Sequence, residues 1–113
     1  MHTKYKGYLG ELLASVLLML KGFSVLERRY RTVCGEIDII AQRENLIIFV
    51  EVKVRKNSEK CYNAIKNKQM KRIRRASEIF LGQNPEFLHK NIRFDIILIS
   101  RWSIPVHLEN VNI

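Results

Sequence analysis

Residues 35–55 read GEIDIIAQRENLIIFVEVKVR, and the way this stretch folds back on itself decides the architecture. Glu36 to Ala41 and Leu46 to Val54 are rich in Ile and Val, residues that suit the pleated, half-buried surface of a strand. The Gln42-Arg43-Glu44-Asn45 segment between them is short and polar, which predicts an antiparallel hairpin at the centre of a sheet. Residues two apart on a strand project from one face, so Glu51 and Lys53 share a face and Val52 takes the other. If the turn closes symmetrically over residues 42–45, Ala41 faces Leu46 and Asp38 faces Phe49. Asp38 then lies on the face of Glu51 and Lys53, as a diagonal neighbour roughly 7–8 Å from Glu51 at Cα. A slip by one residue would send Asp38 to the opposite face.

Ile47 and Phe49 continue the face of Glu51, so these charges interrupt a stripe that is otherwise apolar, where an unpaired charge is costly. Two ionised carboxylates side by side in such surroundings repel each other. A hard divalent cation with oxygen ligands, Mg²⁺ or Mn²⁺, removes that penalty. A lysine beside the cation can hold or deprotonate an attacking water, while the cation acidifies the water and neutralises a phosphoryl oxygen. The chemistry implied is phosphodiester hydrolysis. The competing interpretation is a set of ordinary salt bridges on a solvated sheet face, with Glu36 adding a further charge.

Outward from the hairpin, Leu9, Leu12, Leu13, Val16, Leu17 and Leu20 recur at helical spacing between Tyr5 and Lys21, and Gly22 ends that helix. Phe23 to Tyr30 reads as a strand running into the basic Arg28, Arg29 and Arg31. Ser58 caps a long second helix from Glu59 to Leu81, with Ile65, Ile73, Ala76 and Phe80 on its apolar face and Gly82 at its end. Arg93 to Ile99 and Ile104 to Val111 complete the strands, and Pro105 places the last one at an edge. The order is αβββαββ: one α/β domain over residues 1–113, a mixed central sheet flanked by helices.

Lys and Arg outnumber Asp and Glu by 20 to 11, a formal net charge of +9, so a polyanion is the expected partner and nucleic acid the leading one. The second helix concentrates this charge. From Lys60 to Ser77 it carries no acid, while Lys66, Lys68, Lys71, Arg72, Arg74 and Arg75 leave like-charge repulsion uncompensated until a phosphate backbone arrives. Two cysteines, Cys34 and Cys61, are too few for a disulfide framework and have no metal-binding spacing, so reduced thiols are expected. The apolar run from Leu12 to Leu20 is about half the length of a membrane span, and no leader pattern surrounds it. The expectation is a cytoplasmic protein with no membrane partner.

Gly35-Glu36-Ile37-Asp38, Phe49-Val50-Glu51-Val52-Lys53 with Arg55, Arg93-Phe94-Asp95 and His107-Leu108-Glu109-Asn110, in this order and spacing, resemble the signature of the YraN family. Gly10-Glu11, Ala14 and Lys68 extend the match over essentially the whole chain. The resemblance implies membership of the PD-(D/E)xK superfamily, a restriction-endonuclease-like fold similar to Holliday-junction resolvases, and DNA as the favoured substrate. It implies Asp38 and Glu51 as metal ligands, Lys53 as the catalytic lysine and Glu11 as a further member of the acidic site. Arg55, Lys68, Lys71, Arg72 and Arg75 become the nucleic-acid contacts, and the resolvase-like relatives suggest a two-fold homodimer. The chain departs from the family at Arg29, where asparagine usually precedes the Tyr-Arg pair, and at Val54, where threonine commonly follows the lysine.

Other polar residues have plainer expectations. Asp95, between Phe94 and Ile96, reads as a structural carboxylate hydrogen-bonded in the core. His89 and His107 lack zinc spacing. Tyr5, Tyr8, Tyr30 and Tyr62 read first as packing residues and only second as platforms for unpaired bases. A non-catalytic DNA- or RNA-binding module with a degenerate nuclease fold is the alternative to the enzyme, and an adaptor for an acidic protein a third reading.

Overall fold

The computed structural model describes residues 2–55, 67–100 and 103–111, with side chains from Gly7 onward except those of Arg55, Asn67 and Lys68. Helix α1 (His2–Leu20) leads into β1 (Ser24–Thr32), β2 (Gly35–Arg43) and β3 (Leu46–Arg55). Helix α2 (Asn67–Gln83) and a single 3-10 turn at Pro85–Phe87 precede β4 (Asn91–Ser100) and β5 (Val106–Leu108). Among the described residues the sheet has the order β1-β2-β3-β4-β5. Among the described strands only the β3/β4 pair is parallel, because α2 carries the chain back between them. This is the expected mixed α/β arrangement, consistent with a nuclease-like fold.

Among the described residues, each face of the sheet carries one helix. Gly22 ends α1 at φ 90° in a Schellman arrangement: the Phe23 N–H donates to the Leu18 carbonyl at 2.9 Å and the Gly22 N–H to Met19 at 3.0 Å. Ala14 and Leu18 of α1 pack with Ile39, Ala41, Ile48, Val50, Ile97 and Ile99. On the other face Met70, Ile73, Ala76 and Phe80 of α2 pack with Ile40, Ile47, Phe49, Ile96 and Leu98. Alternate residues of β3 therefore serve the two layers, as period-2 geometry requires.

Three details correct the sequence expectation. The hairpin turn is two residues, Glu44-Asn45, with Arg43 paired to Leu46 and Glu44 at φ 53°. The short loop wins because its backbone twist matches that of the flanking strands. Helix α2 runs through Gly82 and stops at Gln83, where the Asn84 side chain takes over by donating to the Phe80 carbonyl at 2.9 Å. Its predicted start, with Ser58, Glu59 and Ile65, lies outside the described residues. Strand β5 is only Val106–Leu108, because Pro105 before it lacks an N–H and Asn110 turns the chain at φ 56°.

Candidate functional site

The β2/β3 ladder runs from Arg43/Leu46 to Ile39/Val50 and stops. Continued by one step, this register sets Asp38 directly opposite Glu51 rather than diagonal to it. The register differs from the expected one by two residues, an even step, so Asp38 stays on the face of Glu51 and the two carboxylates come closer than predicted. Where a regular ladder would continue to Ile37, the Val52 N–H instead donates to Asp38 Oδ2 at 2.8 Å. The phase of β2 changes at this point. Ile39 and Ala41 pack in the α1 layer, while Ile37 packs in the α2 layer. Strand β1 is distorted alongside: its register with β2 sets Arg29 opposite Asp38, and Arg29 has a φ of 52° within the strand.

Three acids and a lysine meet around this break. Glu51 is 6% exposed; Lys53 Nζ lies 3.7 Å from its Oε2, and the Gln69 amide of α2 donates to the same oxygen. Burial pushes the Asp38 carboxyl up to about 9, helped by its hydrogen bond to the Glu51 carboxyl and by that group's charge, against the Val52 N–H. Glu11 of α1 reaches the site because Gly10 lies against β3, where a Cβ would clash with Val54 Cγ2. Burial raises the Glu11 pKa as well, opposed by a 2.6 Å ion pair with Arg29 Nε and reinforced by the charge of Asp38.

Among the described residues, no group of three or more His, Cys, Asp or Glu side chains is arranged to hold a metal ion. Glu11 is tied to Arg29, which leaves the adjoining Asp38 and Glu51 as the oxygen donors. Two adjoining hard oxygen donors, with a lysine beside them, do fit a divalent cation, which would relieve the cost of ionising both in so little water. Glu36 is outside this group, paired with Arg31 at 2.9 Å on the surface.

The basic helix lies on the α2 side of the same hairpin. Lys71, Arg72, Arg74 and Arg75 are exposed, and among the described residues none forms a salt bridge. The close approach of Gly35, whose Cβ would sit 3.2 Å from Arg72 Cβ, seats the β1/β2 turn on this helix. The Arg55 and Lys68 side chains lie outside the described residues. The sequence reading missed Gln69, which carries no signal beyond its place beside Lys68, and it missed Arg29 as the partner of Glu11. The departure from the family's asparagine was the available clue to Arg29, since asparagine tolerates a left-handed φ.

Asp95 is fully buried on β4, paired in register with Val50 of β3. Arg93 donates to it twice at 2.9 Å, the Asn110 N–H at 3.0 Å and His107 Nε2 at 2.8 Å. The Lys21 ammonium approaches His107 Nδ1 at 2.9 Å, which makes Nδ1 the acceptor and leaves the Nε2–H for Asp95. Burial alone would raise the Asp95 pKa, but these hydrogen bonds and the Arg93 charge hold it below the ordinary value. The RFD and HxEN motifs are thus one structural lock between β4 and the chain's end, as expected of a core carboxylate.

A family described as Uncharacterised protein family UPF0102 matches residues 10–99. UPF0102 protein mlr4633 of Mesorhizobium japonicum is 43% identical over 105 residues, covering 93% of this chain and 84% of its own. A UPF0102 protein of Sinorhizobium medicae is 42% identical over 103 residues, covering 91% and 84%. UPF0102 protein RPA0323 of Rhodopseudomonas palustris is 42% identical over 102 residues, covering 90% and 78%. The match takes in Glu11, the Asp38/Glu51/Lys53 hairpin and the basic helix together, and the chain belongs to the UPF0102 family, the YraN family of the sequence signature.

Proposed function

We propose that this protein is a cytoplasmic, metal-dependent endonuclease that hydrolyses nucleic-acid phosphodiesters, with DNA favoured and branched or junction DNA as the substrate class to test first. The observation that carries this reading is the geometry of the Asp38–Glu51 pair, a half-buried carboxyl held by the Val52 N–H against a buried one, with Lys53 Nζ 3.7 Å from Glu51 Oε2. A structural ion pair has no use for a second buried carboxylate, because each adds a desolvation cost. A hard divalent cation at Asp38 and Glu51, Mg²⁺ or Mn²⁺, would supply neutralisation of charge on a phosphoryl oxygen and a more acidic water.

The chain's own residues do the rest. The Val52 N–H fixes the Asp38 carboxyl, and the Gln69 amide fixes that of Glu51. Lys53, largely buried and held toward Glu51, orients the attacking water and offsets developing negative charge. Lys71, Arg72, Arg74 and Arg75 bind backbone phosphates, an attraction that falls steeply with salt.

The exposed cations of α2, which form no salt bridge among the described residues, favour a second reading, a non-catalytic DNA- or RNA-binding module, because they bind phosphate without any help from Asp38. The deciding experiment compares cleavage of labelled duplex, single-stranded and four-way-junction DNA with Mg²⁺ or Mn²⁺ by the wild type, Glu51→Ala and Lys53→Ala. Metal-dependent cutting lost in both variants supports the enzyme. Equal cutting by the variants removes it, and salt-sensitive binding with no cutting establishes the module.

A further inference from the structure

The outward face of α1 is apolar along three turns. Tyr8, Leu9, Leu13, Val16, Met19 and Leu20 are 43–81% exposed. Between Tyr8 and Leu20 the helix has one charged residue, Glu11, which turns inward to Arg29, and its serine, Ser15, is buried with its hydroxyl on the Glu11 carbonyl. The inward face meanwhile packs on the sheet through Ala14 and Leu18. A helix apolar on both sides is the mark of an element covered on both sides.

We infer that a second copy of this chain covers α1, through an isologous helix-to-helix contact about a two-fold axis near Leu13 and Val16. Three observations select a second copy. Leu9, Leu13, Val16 and Leu20 are spaced 4-3-4, the repeat that forms a continuous seam for knobs-into-holes packing against an identical seam. The six side chains expose roughly 600 Å², most of the about 800 Å² that each partner contributes to a standard interface. From Tyr8 to Leu20 the helix itself also carries no Lys or Arg, although the chain as a whole is at +9. Interfacial membrane helices place Lys and Arg along their polar flank, and an acidic partner would need cations here. Contact through α1 sets the two sheets back to back and leaves both basic α2 helices outward, so the repelling charges stay apart. This inference does not depend on the reading of the acidic site.

The test is the mass of the full chain in solution by light scattering and sedimentation equilibrium, with circular dichroism as the control for folding. Twice 13.4 kDa is expected for the wild type. Leu13→Glu, and the milder Leu13→Gln, should weaken association by on the order of 30-fold or more and return the 13.4 kDa chain. Val33→Glu, at the fully exposed tip of the β1/β2 turn, should leave the dimer intact. A monomeric wild type at micromolar concentration overturns the inference, as does a dimer indifferent to Leu13→Gln. Binding of the monomer to anionic phospholipid vesicles, lost on the same substitution, replaces the second copy with a lipid surface.

Discussion

Asp38→Asn should change how stability depends on pH, and by an amount fixed by proton counting. Burial beside Glu51 pushes the Asp38 pKa up to about 9, far above the ordinary carboxylate range, so the folded chain is expected to keep a proton there. The unfolded chain releases that proton above its own, lower pKa. Folding therefore takes up one proton through the window between those values, and this contribution to stability declines as pH rises across it. A one-proton difference is worth about 1.4 kcal/mol per pH unit, so about 2.7 kcal/mol is lost between about pH 6 and about pH 8. Asparagine keeps a donor for Glu51 and an acceptor for the Val52 N–H but has nothing to titrate. Urea unfolding of the two proteins with EDTA present, at several pH values across the window, measures the difference in slope while contributions from other groups cancel. Wild type should lose stability relative to Asp38→Asn as pH rises. Parallel curves would mean that Asp38 is already ionised in the folded chain across this window.

The same proton must leave when a cation binds, so Mn²⁺ titration by calorimetry in buffers of different ionisation enthalpy should report release of about one proton per ion near neutral pH, and Asp38→Asn should bind far more weakly; binding without proton release contradicts the assignment. Gly10→Ala drives a methyl into Val54 Cγ2, an overpacking cost of about 1–3 kcal/mol that exceeds the gain in helix propensity, about 1 kcal/mol. Val54→Ala should recover most of it in a double-mutant cycle, and additive effects would show that the helix shifts freely. Asp95→Ala strands the Arg93 guanidinium and His107 and should cost about 3–5 kcal/mol by urea unfolding, with a cost below about 1 kcal/mol denying the lock.

The sheet was legible because its strands are long runs of Ile and Val, and period-2 parity is indifferent to a turn misplaced by two residues. Asp38, Glu51 and Lys53 were placed on one face despite the wrong register, since the true turn at Glu44-Asn45 shifts the pairing by an even step. The apolar spacing of α1 told that it was a helix but not which side was covered. Leu9, Leu13, Val16 and Leu20 belonged to the predicted stripe, yet Ala14 and Leu18 make the sheet contact. A helix apolar all round has no preferred face in its sequence, so periodicity picked one of two. The Asp95 lock spans β4 to the chain's end, and no local pattern announces a partner 12 residues away at His107.

What the sequence conceals at the site is its irregularity. Regular pairing satisfies backbone groups with backbone groups, and a strand obeying it offers only side chains that alternate. Here Val52 donates to a carboxylate, Ile37 falls out of phase with Ile39, and Arg29 takes a φ of 52° in the strand alongside. A left-handed φ costs a non-glycine residue about 1–2 kcal/mol, and asparagine bears it best among the larger residues. Arg29 bears it with a compensation asparagine lacks, a 2.6 Å ion pair to a Glu11 side chain only 13% exposed. The three departures fall on neighbouring residues at the end of the ladder where Asp38 and Glu51 meet, while the positive φ angles of Glu44 and Asn110 sit in turns that require them. Strain placed by chance would not converge on the carboxylates. Its convergence is the physical reason to regard the Asp38–Glu51 pair as a site held ready for a ligand rather than as a surface ion pair.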